Sequence, residues 1–396
     1  MMPLMMGYAA FPFLGKVTRH DMVVSICAGF RSGELSEYFT SKKCELDDET
    51  LRGTLRCHFF MKPVTIVGGG LAGLVLGIRL RGLGVPVTIY EKRAYPQHRV
   101  CGEFISGVSY ETLEKLNLVK TLEKACSIPS VEWFIKDRKV FEYNFDSSAL
   151  GISRYTLDRM LSEKFMGEGG DLIKKKLSFE GSQEGLVWAA GKPMNRGGKW
   201  IGLSLHMHDK KTPNLEMHSG PGGYVGLSPI ENGRTNVTGL FQKVSGIRGQ
   251  GRLLFSAYLS ASGLESLAGF IDKSDVVEGS FCAVAGFEFG SSSDDSRFCI
   301  GDASTLIPPF VGNGMSMAIE SADITAEGLL KYSVGDCRWD SATALINEET
   351  AKLFSKRMLV AKFLHPFILS GMGLRLIDIS NRMKMLPIGN LYRWTR

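Results

Sequence analysis

Six consecutive residues, Gly68-Gly69-Gly70-Leu71-Ala72-Gly73, carry glycine at the spacing of a turn that receives the diphosphate of a dinucleotide. Gly68 permits the tight turn, Gly70 lets the backbone approach the diphosphate, and Gly73 lets the following helix pack closely on its strand. A helix opening at Leu71 presents unpaired N–H groups and partial positive charge to the phosphates, so Leu71 and Ala72 belong to the site through their main chain. Glu91, about twenty residues on, stands where an acid accepts from ribose hydroxyls, with Lys92 beside it. Far downstream comes Gly301-Asp302-Ala303, then Pro308-Pro309-Phe310-Val311-Gly312-Asn313-Gly314. An aspartate at a strand end accepts hydrogen bonds from sugar hydroxyls. A helix starting at Asn313 or Gly314 directs N–H groups at negative charge developing above it.

The elements around these motifs follow from periodicity. Residues 64–67 are a β-branched run and read as a buried strand; 71–83 read as a helix and 85–90 as a second strand. A loop over 94–102 leads to a helix near 110–118. Residues 131–135 and 140–145 alternate apolar and polar, as half-buried strands do, and 155–167 reads as a helix. Strands are expected at 201–208, 215–218, 224–228 and 235–241, separated by Gly/Pro/Asn turns. Residues 253–267 read as one helix, 298–300 as a strand running into Gly301-Asp302, 313–331 as a helix, and 341–385 as largely helical. The order implies an α/β fold: a Rossmann-like nucleotide-binding domain (61–130, 151–200 and 282–335) with an inserted antiparallel β-sheet substrate domain (131–150 and 201–281) and a C-terminal helical region (336–396). Residues 1–60 show no clear period, and the text changes at Met61; they read as an N-terminal extension, with Met61 as the natural start.

The paired glycine motifs resemble the flavoprotein superfamily of para-hydroxybenzoate hydroxylase, which includes aromatic hydroxylases, geranylgeranyl reductases and flavin halogenases. The resemblance spans about residues 62–332. Arg154-Tyr155-Thr156-Leu157-Asp158-Arg159-Met160-Leu161 is similar to that superfamily's R-x-x-L-D-x-x-L helix, and Arg99-Val100-Cys101-Gly102-Glu103 to its cysteine-glycine element beside the flavin. The resemblance implies FAD as cofactor, held by Gly68, Gly70, Leu71, Ala72, Gly73, Glu91, Lys92, Arg99, Arg154, Gly301, Asp302, Gly312, Asn313 and Gly314. It implies Cys101, Tyr224, Gly226 and Pro309 on the substrate side. NADH and NADPH are the candidate electron donors, and the choice of donor is left open.

The sequence departs from each branch of the superfamily. Ala190 stands where many hydroxylases carry the aspartate of a G-A-D-G element. Tyr224-Val225-Gly226-Leu227-Ser228-Pro229 keeps the Tyr and Pro of the reductases' Y-x-W-x-F-P but has Gly226 and Ser228 for its two aromatics. The halogenase signature W-x-W-x-I-P is absent. The resemblance therefore implies an FAD-dependent monooxygenase acting on a hydrophobic aromatic or polyketide-like small molecule. Two alternatives stand beside it: a reductase of isoprenoid C=C bonds, and a non-catalytic flavin- or lipid-binding protein. No residue declares itself a catalytic acid or base; Tyr224, Cys101, Glu103, His206 and His218 are candidates by chemical type.

Composition narrows the remaining classes. The apolar fraction is 44% and the charged fraction 22%, those of an ordinary globular protein rather than a disordered one. The net charge of +6 has no nucleic-acid-binding module to concentrate it, so nucleic acid is not an expected partner. The eight cysteines form no metal-ligand cluster and fit reduced thiols of a cytoplasmic protein. Residues 352–396 hold nine Lys or Arg against one acid, Asp378, among many large apolar residues. That composition suits either a helix packed on the core with a solvated basic face or peripheral contact with a membrane.

Overall fold

The computed structural model describes residues 61–396, apart from 179–180, 193–196, 209–211, 292–296, 384, 386, 388, 390–391, 393 and 395–396. The expected extension over residues 1–60 lies outside the described residues. In chain order the elements are β1 (Val64–Val67), α1 (Leu71–Gly82), β2 (Val87–Glu91), β3 (Phe104–Ile105), α2 (Tyr110–Lys115), β4 (Cys126–Ile135), β5 (Arg138–Gly151) and α3 (Arg154–Gly167). Then follow β6 (Asp171–Lys174), β7 (Leu186–Trp188), β8 (Trp200–Met207), β9 (Leu215–Gly220), β10 (Gly223–Ile230) and β11 (Arg234–Gln242). The chain continues through α4 (Gly251–Ala261), α5 (Glu265–Lys273), β12 (Cys282–Phe287), β13 (Gly290–Ser291), β14 (Thr305–Leu306), α6 (Gly314–Ser333), α7 (Trp339–Leu369) and α8 (Gly371–Arg382).

The first sheet is parallel, in the order β6-β2-β1-β7. Val64, Ile66 and Ile89 are fully buried, and α1 lies against them with Leu74, Leu76 and Leu80 inside. Such β-branched strands, covered on both faces, need no polar side. The chain runs from β1 to β2 on one side and reaches β7 on the other. The crevice at the carboxyl ends of β1 and β7 is thus a topological switch point, where ligands bind in open α/β sheets. The expected strand at 298–300 contributes only a bridge, Trp188 to Cys299, beside β7. Its short ladder still delivers Gly301 and Asp302 to the same end of the sheet: Trp188 N donates to Phe298 O at 2.8 Å and Ile300 N to Trp188 O at 3.0 Å.

The second sheet has eight strands in the order β12-β8-β11-β10-β9-β4-β5-β3. It is antiparallel as expected, except that β4 and β9 pair in parallel. Cys282–Phe287, expected with the nucleotide-binding half, pairs instead with β8 and forms the sheet's edge. Cys126–Ile135 also begins earlier than its alternation suggests. Its register shifts between Ile128 and Ser130, around Pro129, which has no N–H for the ladder. Alternation then divides the sheet into two faces. Leu203, Leu205, Val225, Leu227 and Val237 point to one side and pack on α4 and α5 through Phe255 and Tyr258. The intervening residues point to the nucleotide-binding half. The single helix expected over 253–267 is two, broken at Gly263, whose φ is +67°. The helix expected to reach 118 ends at Lys115, just before Asn117 adopts φ +56°.

Candidate active site

The glycine turn leaves no room for side chains. Gly68 has φ +113°, and a Cβ there would lie 2.5 Å from the Ala189 carbonyl carbon. A Cβ on Gly73 would lie 2.1 Å from Gly68 O. Above Gly70 the space is open, and the nearest atom to an added Cβ is Arg154 Nη2 at 4.0 Å. Leu71 and Ala72 bury their side chains, so their main chain is what faces outward. Glu91, at the end of β2, accepts from Gly69 N at 2.9 Å and from Arg93 N at 3.0 Å. The buried carboxylate thereby braces the turn. Tyr95 adds a hydrogen bond from its hydroxyl to Gly69 O. Lys92 is exposed beside them.

Two arginines border this turn and share one carboxylate. Asp158 is fully buried; it accepts from Arg154 Nε at 2.7 Å, Arg154 Nη2 at 2.8 Å and Arg99 Nε at 3.1 Å. Asp158 was legible in the helix motif at i+4 from Arg154, although only the arginine is read there as a binding residue. Asp158 thus orients both guanidinium groups toward the glycine turn. Arg99 Nη2 is buried without a hydrogen-bond acceptor and lies 3.7 Å from Glu91 Oε2. Gln97 and His98, just before it, also bury polar atoms that have no partner. Buried orphan donors beside an open glycine turn are what an absent anionic ligand leaves behind.

Asp302 reaches the same space. Gly301, with φ +58°, packs so closely on α1 that a Cβ would lie 2.9 Å from the Ala72 Cβ, which joins the two motifs. The Asp302 carboxyl is accessible in the cleft but surrounded by protein. Burial raises its pKa, and the charges of Arg154 and Arg99 oppose that. Beyond it, Pro309 is exposed, and Gly312 turns the chain with φ +68°, where a Cβ would strike the Phe104 ring at 2.3 Å. Asn313 is buried at the start of α6, and Gly314 has no atom within 4 Å of an added Cβ, so the helix end is open above it. Gly301, Asp302 and Gly314 line a small cavity of about 40 Å³, with Met317, Asn347 and Phe354 from α6 and α7.

The loop Arg99–Glu103 is fastened to the large sheet by side chains that sequence reasoning did not find. Ser204 Oγ donates to Arg99 O at 3.2 Å, and Thr238 Oγ1 to Cys101 O at 2.5 Å. Asn236 Nδ2 donates to Cys101 O at 2.9 Å and Gly102 O at 3.0 Å, and Ser228 Oγ to Gly102 O at 2.7 Å. Ser228 thus replaces an aromatic because its hydroxyl holds this loop. Glu103 has φ +57° and is 1% exposed. It accepts from Arg154 N at 2.9 Å, and its other oxygen lies 2.7 Å from His206 Nε2. Burial pushes the Glu103 pKa up, and the hydrogen bond to His206 opposes it. The Cys101 thiol, beside Arg154, is likewise raised by burial. Glu231, in the turn after β10, accepts from Ser153 N at 2.8 Å and Thr156 Oγ1 at 2.6 Å, seating the start of α3 and with it Arg154.

Tyr224 and Gly226 lie on the same face of the sheet, further along. Gly226 admits the Met217 sulfur, 3.1 Å from where a Cβ would stand. Tyr224 is buried in an aromatic cluster with Phe310, Trp200, Phe289 and His365. The His365 ring lies parallel to Phe310, 5.9 Å between centroids, and its Nε2 is buried without a partner. Burial lowers its pKa to about 4. His218 is not brought to the site. It stacks on Phe134 and lies 3.2 Å from Glu216 on the opposite face of the sheet, because it falls out of phase with Leu215 and Met217.

The geometry fits an extended dinucleotide with its diphosphate over Gly70 and its second sugar chain at Asp302. Residues 61–174 match the model described as an FAD binding domain. That match takes in β1, the glycine turn, α1, β2 and α3. An FAD-dependent monooxygenase of Aspergillus terreus (strain NIH 2624 / FGSC A1156), pytG, is 31% identical over 120 residues. That match covers 27% of this chain and 34% of the relative, so the chain spans about a third of the length of the curated protein it matches. Among solved structures, PqsL of Pseudomonas aeruginosa, a probable FAD-dependent monooxygenase, superposes with a TM-score of 0.63 at 15% identity. The superposition covers 80% of this chain and 98% of that one. Another structure of PqsL contains 2-aminobenzoylacetate. The flavin-dependent brominase Bmp2 superposes with a TM-score of 0.65 at 16% identity, covering 84% of this chain and 92% of that one. At these identities the superpositions establish a shared fold. FAD is therefore the cofactor of this flavoprotein.

Proposed function

We propose that this flavoprotein is an FAD-dependent monooxygenase of a hydrophobic aromatic small molecule. The observation that carries the substrate side is the aromatic cluster of Trp200, Tyr224, Phe289, Phe310 and His365, built onto the turn that opens α6. The aromatic β-keto acid in the PqsL structure, on the same fold, is in keeping with such a substrate. When bound and reduced, FAD supplies the activation of O₂. In the overall reaction NADH or NADPH gives two electrons, one oxygen atom enters a C–H bond of the ring, and the other leaves as water.

The chain's own residues bind, orient and exclude water. Arg99 and Arg154, oriented by Asp158, offer donors to the diphosphate, and Asp302 offers an acceptor to the sugar chain. The N–H groups that open α6 stabilise negative charge at the adjacent ring edge. The aromatic cluster keeps water from the reacting centre. Glu103 and His206 hold a proton between Oε2 and Nε2, next to the loop that lines the cofactor.

The test is turnover by FAD-reconstituted protein with NADH or NADPH and a panel of aromatic acids and phenols. A substrate that accelerates cofactor reduction and yields a product 16 mass units heavier, with label from ¹⁸O₂, supports the reading. Product formed without O₂ would overturn it in favour of a C=C reductase.

A further inference from the structure

The surface that the reaction leaves unused lies on α7 and α8. Leu359, Phe363 and Phe367 follow one another at i, i+4 and i+8 on α7, and Met372, Leu376 and Ile379 form a stripe on α8 that Met383 continues just past its end. All seven are between 40% and 74% exposed. The two helices meet at 102°, and no single helix among the described residues is long and apolar enough to cross a membrane. The opposite sides of both helices are well packed, through Phe354, Ala361, Ile368 and Leu374. The outward apolar stripes are therefore not a sign of loose docking. Large apolar side chains exposed in rows on neighbouring helices are the kind of surface that marks an interaction site.

Charge identifies what covers it. Lys352, Lys356, Lys362, Arg375 and Arg382 are exposed on the same two helices. The one acid of residues 352–396, Asp378, is already paired with both Arg138 and Arg382. Lys352 also pairs with Glu348 on α7, so the charge of this face rests on Lys356, Lys362 and Arg375, and a second copy presenting the same face would set those cations against one another. An anionic lipid surface satisfies both parts: acyl chains receive the apolar stripes and headgroups receive the cations. Trp394, exposed near Lys356 with the ammonium 5.8 Å from its ring centroid, has the amphipathic ring that suits the headgroup layer. We propose that α7 and α8 form a monotopic docking surface for anionic membranes. The proposal is independent of the reaction above.

The test is co-sedimentation of the full, FAD-loaded chain with phosphatidylcholine vesicles, with and without about a third phosphatidylserine. The protein is expected to pellet with the anionic vesicles, and its partition coefficient to fall about tenfold when salt is raised to about 0.5 M. Phe363→Glu with Leu376→Glu should lower partitioning by about tenfold or more, with the flavin absorbance retained as evidence of folding. If that variant loses its flavin, Lys362→Gln with Arg375→Gln decides. It should lose about fivefold per charge on anionic vesicles and nothing on neutral ones. Failure of the parent to pellet with anionic vesicles would sink the proposal. So would equal binding by the charge-reduced variant, or a lipid-free dimer that the Glu variant dissociates while neither protein binds vesicles.

Discussion

Replacing His365 by Phe isolates the cost of burying an imidazole among aromatic rings. The native His365 has its pKa lowered to about 4 by burial, against an ordinary value of 6.5. As pH falls, the unfolded chain takes up the proton first, so unfolding is favoured progressively between about pH 6.5 and pH 4. The stability in question is fully present above that window and lost on descending through it. A shift of about 2.5 units corresponds to roughly 3 kcal/mol in total, of which about 2 kcal/mol is gone by about pH 5. Phe conserves the ring that stacks on Phe310, so the variant should lie within about 1.5 kcal/mol of the parent near pH 7.5. Urea unfolding at about pH 7.5 and about pH 5, followed by far-ultraviolet circular dichroism, measures the difference. The parent should lose about 2 kcal/mol more than the variant between the two conditions. His98, also lowered to about 4, is present in both proteins and cancels. Equal losses would refute the claim that His365 is neutral and desolvated in this cluster.

The remaining expectations concern the cofactor. Asp158→Asn removes the carboxylate between two guanidinium groups, at a cost of about 3–5 kcal/mol to the apoprotein. Since the diphosphate offsets that charge, added FAD should raise the variant's melting temperature more than the parent's; an equal or smaller rise would count against a diphosphate there. Gly68→Ala sets a methyl into the Ala189 backbone and should abolish flavin retention on gel filtration. Gly70→Ala, with no atom closer than 4.0 Å, should leave apoprotein melting unchanged yet weaken FAD binding by about tenfold, read from flavin fluorescence. Asn236→Ala removes one of two donors from each of the Cys101 and Gly102 carbonyls and should cost about 0.5–1.5 kcal/mol, with faster proteolysis of the 99–103 loop.

The nucleotide-binding half was legible because its signals are local. The strand Val64–Val67, its glycine turn and the helix from Leu71 lie where periodicity and turn chemistry put them, since each is decided within a few neighbouring residues. Arg154 came instead from the resemblance of its helix to the R-x-x-L-D-x-x-L element. The fastening of the 99–103 loop was not legible, because its partners Ser204, Ser228, Asn236 and Thr238 lie more than a hundred residues away along the chain. Nothing in a lone Ser or Asn on a strand marks which carbonyl it will meet. Gly226 was placed on the substrate side by the resemblance, and the Met217 sulfur lies where its side chain would stand. His365 was hidden in a helix whose basic, apolar composition drew attention outward, while its ring faces the core. The split at Gly263 was passed over because the apolar period continues across it.

The inward face of the large sheet divides its labour along its length. At one end Ser204, His206, Ser228, Asn236 and Thr238 are committed to holding the cofactor loop. Further along the same strands Trp200, Tyr224, Gly226 and Leu240 carry no hydrogen-bonding duty toward that loop. Pleating keeps the two sets in register but lets them vary separately. Exchanges in the second set therefore need not disturb the fastening of the 99–103 loop. The same partition gives a protein engineer a short, defined group of positions to randomise first.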